Sequence, residues 1–147
     1  MPSTLPAGLP RRLAALLYDS LLLAALWFVT AALVLAASNG LLSQPDRPPW
    51  LLYLLRAGLL LVTFLFWAGF WTHGGQTLGM RAWRLKLVGD QGGPISWRQA
   101  MGRFLAAFVS LAPLGLGYLW ILIDPQRRAW HDQLSGTRVI VLPRNRD

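Results

Sequence analysis

Two apolar runs, residues 13–37 and 50–71, are the first constraint on what this chain can fold into. A hydrocarbon core about 30 Å thick needs roughly 20 apolar residues as helix, and each run supplies that length. Only Tyr18, Asp19, Ser20 and Thr30 interrupt the first run. Between the two, residues 38–49 carry Pro45, Pro48 and Pro49 among Asn, Gly, Ser and Asp, a composition that ends helices and turns the chain. Trp50 at one end of the second run, and Trp67 and Trp71 at the other, stand where interfacial aromatic belts form. The sequence therefore predicts two membrane-spanning helices, over 13–37 and 50–72. Arg11-Arg12 before the first run and Ala36-Ala37-Ser38 after it imitate a cleavable signal. Signal cores span only about 7–15 residues, and this run is longer and holds an acid, so a retained helix is expected.

Composition agrees. The 147 residues are 54% hydrophobic and 14% charged, with a mean hydropathy of +0.42. A soluble domain averages about 25% charged residues, so an ordinary soluble fold is excluded, as is a disordered chain. The chain has no cysteine, which removes disulfides, thiolate metal sites and cysteine nucleophiles. The net charge of +8 fits either nucleic-acid binding or cationic loops beside a membrane. The arginines flank apolar spans and form no single stripe, so loops near anionic lipid explain them and no nucleic-acid partner is expected.

A third apolar segment, residues 104–123, is interrupted by Pro113, Gly115 and Gly117. A proline inside a helix removes a backbone hydrogen bond and kinks or breaks it. Ser96 is placed to cap a helix over 97–112, so 97–123 reads as an interfacial, Pro/Gly-broken segment, re-entrant or kinked. Charge sets its topology. Residues 1–12 carry Arg11 and Arg12 with no acid; 72–103 carry Arg81, Arg84, Lys86, Arg98 and Arg103 against Asp90. Residues 124–147 carry five arginines against Asp124, Asp132 and Asp147, whereas 38–49 balance Asp46 with Arg47. The positive-inside rule puts the N-terminus, the middle loop and the tail on the cytoplasmic side, which three complete crossings forbid. Residues 82–89 and 137–142 read as short strands. Neither is stable alone, and pairing them into a small cytoplasmic β pair requires both on one face.

Asp19 lies about 9 Å inside the first helix at 1.5 Å per residue. An ionisable group at such depth costs at least roughly 2.5–3.5 kcal/mol unless paired or snorkelling. Arg12 precedes it by seven residues, about two turns, and shares its face. Asp19 is then either a cation or proton site or the partner of Arg12, or of an arginine in the broken segment, in fixing helix packing. Arg56, inside the second helix, lies on the order of 12 Å from Asp19 along the membrane normal and is expected to snorkel to the outer surface. His131 beside Asp132 makes no catalytic dyad, because neighbours on a helix point apart and no serine sits in a nucleophile-like context. Two histidines without glutamate or cysteine make no metal site, and the 73–79 stretch, HGGQTLG, lacks the lysine and spacing of a phosphate loop. That stretch reads as a tight turn. No enzymatic activity and no cofactor are expected.

Several stretches resemble the RDD family of bacterial membrane proteins, named for one arginine and two aspartates. The opening RRLAALLYD, residues 11–19, is similar to the family's first helix. QTLGMR, residues 76–81, resembles its "TLGK" stretch, with Met80 where lysine is common. The helix around Arg103 and the closing WHDQLSGTRVIV, residues 130–141, are similar as well. The resemblance implies that Arg12 (or Arg11) is the arginine, Asp19 the first aspartate, and Asp132 or Asp124 the second. It also implies transport of an unidentified ligand, cation/proton antiport being among the activities ascribed to the family.

The expected protein is a single-domain, α-helical, multi-pass bacterial inner-membrane protein with a cytoplasmic N-terminus. It moves a small cation, proton or solute, with Asp19, Arg12, Arg103, Asp124 and Asp132 as the charge-site residues. An intramembrane acid beside a broken segment is an arrangement transporters use for ion sites. Alanines at 24, 25, 31, 32 and 36 allow close helix approach in a homo-oligomer. The rival expectation is a non-transporting adaptor whose Arg/Asp constellation only locks the fold and whose strand pair docks a partner.

Overall fold

The computed structural model describes residues 5–143, so the tail charges counted at 144–147 lie outside the described residues. Helix α1 runs Leu9–Ala37 and α2 Pro49–Thr72, and both are long and apolar enough to cross a membrane. Each starts before its apolar run because a proline, Pro10 or Pro49, occupies the first turn, where a missing N–H costs nothing. Arg11 and Arg12 are therefore helical. Trp27 donates its indole N–H to Thr63 Oγ1 at 2.9 Å, tying α1 to α2. Beyond Leu23 no residue of α1 is buried within the chain, as expected of a surface that faces lipid.

After α2 the chain turns through 73–77 and enters α3, Leu78–Ala82, capped by Thr77, whose hydroxyl accepts from Met80 N. Strand β1 follows at Leu85–Gly89. The strand expected from residue 82 starts three residues later, because the Thr77 cap nucleates a helical turn and Arg84, at φ 54°, redirects the backbone. Helix α4, Trp97–Leu111, begins at Ser96 with a reciprocal cap: Ser96 Oγ accepts from Gln99 N, and Gln99 Oε1 accepts from Ser96 N. A turn leads to α5, Leu116–Leu119, continued by a 3₁₀ turn at Trp120–Leu122.

The two halves of this third segment meet at 106°. Pro113 cannot donate to the ladder, and Leu114 (φ 53°) and Gly115 (φ 80°) reverse the local backbone twist. Past the bend, Gly117 lies so close to Ser110 that an added Cβ would stand 2.6 Å from the Ser110 Cα, so the absence of a side chain is what lets the two halves approach.

The chain closes with α6, Trp130–Leu134, and β2, Thr137–Val141. β1 and β2 pair antiparallel in the register Leu85↔Val141 through Gly89↔Thr137. Leu142 N adds a bond to Arg84 O at 2.8 Å. Both outer edges of the sheet are partly covered by the chain itself, with Ala7 N bonding Val139 O and Leu87 N bonding Gly75 O. The apolar core gathers where this sheet meets the ends of α1 and α2, around Ala15, Ala68, Trp71, Leu85, Leu87 and Val139.

Candidate functional site

Asp132 sits in the first turn of α6 and is 0% exposed. Its carboxylate accepts from Arg12 Nη1 at 2.5 Å, from Arg103 Nη1 at 2.5 Å, and from the Ala129 amide at 3.0 Å. Arg12 comes from the first turns of α1 and also donates to the carbonyls of Ala7 and Arg127. Arg103, from α4, donates to Thr137 Oγ1 at 2.8 Å and lies over the Trp71 ring, 5.1 Å from its centroid. Three segments remote in sequence thus converge on one carboxylate. Burial by itself would raise the Asp132 carboxyl, but Arg103 and Arg12 outweigh it and hold the group well below the ordinary carboxylate range.

His131 packs beside this cluster, 4.6 Å from the Tyr118 ring, with Nδ1 3.2 Å from Ser110 Oγ and Nε2 3.6 Å from Asp132. Burial, and then the charge of Arg103, push it down from 6.5 to about 3 against the pull of Asp132, so it is neutral at ordinary pH. A serine therefore does stand next to this histidine, which the sequence reading missed: Ser110 lies 21 residues earlier, across the bend. The Ser110 hydroxyl is fully buried and also accepts from the His131 amide, the arrangement of a structural clip.

Asp19 occupies a different place. It is 1% exposed, and its carboxylate accepts from the Thr77 hydroxyl at 2.5 Å and the Gly79 amide at 2.8 Å. It reaches neither Arg12 nor an arginine of α4, and among the described residues it has no cationic partner. Of the alternatives expected for Asp19, the pairing with Arg12 does not form: Arg12 pairs with Asp132, and helix α3 lies against α1 and fills the space beside Asp19. Gly79 permits that approach: a Cβ there would stand 2.3 Å from Ala15 O and 2.9 Å from Asp19 Oδ2. The 73–79 stretch, read as a tight turn, thus supplies both donors to Asp19. The legible signal was Thr77 three residues before Met80, the spacing of a helix cap.

The remaining charges lie outside this core. Asp124, the alternative second aspartate, accepts from the Arg128 amide at 2.8 Å and from Gln133 Nε2 at 3.5 Å, closing a turn away from Arg12. Arg11 is exposed while Arg12 is buried. Arg56 is exposed on α2, its guanidinium 6.0 Å from the Tyr53 ring. Between α1, α2 and α4 lies a cavity of about 280 Å³ that Arg12, Asp19, Arg103 and His131 all line.

No curated protein and no solved structure matches this chain. The model of the RDD family matches residues 6–136, a stretch that contains Arg12, Asp19, Arg103 and Asp132, and the chain belongs to the RDD family.

Proposed function

We propose that this membrane protein moves a proton or a small cation, with Asp19 as the residue that carries the charge. One observation supports the reading above the others: Asp19 is buried in a membrane helix, beside the cavity, with hydroxyl and amide donors but no cation among the described residues. A carboxylate so placed is neutralised most cheaply by a proton or an arriving ion. Arg12, Arg103 and Asp132 form the fixed scaffold beside it. The proposal includes no enzymatic step and no cofactor.

The same reading puts the protein in the bacterial inner membrane with its N-terminus in the cytoplasm. The third segment then enters and returns on the cytoplasmic side. What supports the return is the pairing of β1 with β2, since hydrogen-bonded strands on either side of 97–123 share one membrane face. The bridge between Pro6 and Ile140 argues the same for the N-terminus. A homo-oligomer completes the proposal, because one bundle of this size encloses little polar path.

Ion flux into reconstituted vesicles tests the claim. Asp19→Asn should lower flux at least tenfold while the thermal midpoint stays within a few degrees. Equal flux in the two proteins defeats it. The adaptor reading is favoured by a specific observation too, the full engagement of both Asp19 oxygens by Thr77 and Gly79. Under it, Asp19→Asn lowers stability and leaves no selective flux defect.

A further inference from the structure

The cavity between α1, α2 and α4 has two unlike ends. At one end, two guanidinium groups share a single carboxylate, so among the described residues Arg12, Arg103 and Asp132 leave one positive charge uncompensated in a buried place. Neutral His131 adds no charge to that balance. Among the described residues Arg103 Nε has no hydrogen-bond partner, although the side chain is only 7% exposed. An unpaired buried donor on a charged group is costly, and the surplus positive charge beside it is what an anionic group in the cavity would offset. From this end the walls are apolar, formed by Leu16, Trp67, Phe104, Phe108 and Leu111. Asp19 also borders the cavity, but its helical spacing puts it about 10 Å along α1 from Arg12, which directs negative charge to the arginine end.

We infer that this cavity binds a single-chain anionic amphiphile of the fatty-acid type, its carboxylate at Arg103 and Arg12 and its chain along the apolar walls. A volume of about 280 Å³ lies just below the usual range of ligand pockets, roughly 300–1,000 Å³, and suits one chain better than a two-chain lipid. The inference goes beyond ion movement and does not rest on it.

Trp67 and Trp71 line the cavity, so a chain carrying bromine quenches their fluorescence on contact. The full-length protein is placed in phosphatidylcholine nanodiscs and titrated, at a pH where the acid is ionised, with a dibrominated long-chain fatty acid. Parallel arms use its uncharged methyl ester and a brominated phosphatidylglycerol. Saturable quenching is expected with the acid, with at least tenfold weaker apparent affinity for the ester and only a linear rise with the phospholipid. Ala107→Phe, which fills the wall from α4, should remove the saturable component. Overturning results are quenching by the acid that never saturates, equal saturation with the ester or the phospholipid, or saturation unchanged in a folded Ala107→Phe protein. If that variant does not fold, the contrast between acid and ester in the unaltered protein decides alone.

Discussion

Arg12 and Asp132 stand 120 residues apart in the chain, and their side chains meet at 2.5 Å. The contact fastens the start of α1 to α6, the last helix before β2. With Arg103 on the other carboxylate oxygen, it also fixes the α4 half of the broken segment. Removing one partner of a buried ion pair strands the other charges, at a cost of roughly 3–5 kcal/mol. Asp132→Asn should therefore unfold far more readily than the parent in detergent thermal melts. A change in midpoint within error would show that the two arginines find other partners.

Gly79 gives a sharper contrast. Gly79→Ala forces a methyl against Ala15 O and the Asp19 carboxylate, a clash that should cost about 1–3 kcal/mol and loosen α3 from α1. Gly69→Ala in α2 is the control, since nothing lies within 4 Å of its added Cβ and alanine favours helix. Equal midpoints for the two variants would mean that α3 does not pack on α1 as described.

Stability should fall as the solution becomes acidic, beginning near the ordinary histidine range. In the folded protein His131 is held down at about 3, so below 6.5 the unfolded chain takes up a proton that the folded one refuses. Its contribution is present in full above 6.5 and is lost as pH falls toward 3. The depressed Asp132 carboxyl works in the same direction, with its loss starting only below about 4. Thermal midpoints of the parent should decline between pH 6.5 and 4.5, whereas those of His131→Gln should stay flat over that interval. Parallel curves would contradict the assignment of a buried neutral His131.

The chain lacks cysteine, so single cysteines report topology without background. In oriented vesicles a membrane-impermeant maleimide should label Asp46→Cys from one side only. It should label Asp90→Cys and Arg138→Cys from the other side, because β1 and β2 are paired. Labelling of Asp90→Cys and Arg138→Cys from opposite sides would require a complete third crossing.

The two helices long enough to span a membrane were legible because lipid thickness imposes a length on any apolar run, and length is a property of the sequence alone. Local signals also carried through. Ser96 capped its helix, Pro113 and Gly115 marked the bend, and the two strands paired with each other. These depend on one residue and its near neighbours. Partner choice among the charges was not legible. Seven residues of helix suggested Arg12 with Asp19, yet each went to a group more than fifty positions away. Helical periodicity fixes which side chains share a face, but only the packed chain fixes what stands opposite that face. The fold decided that α3 and its Gly79 would lie against Asp19, and that Asp132, not Asp124, would enter the arginine pair, because buried charge settles wherever tertiary contacts supply enough donors.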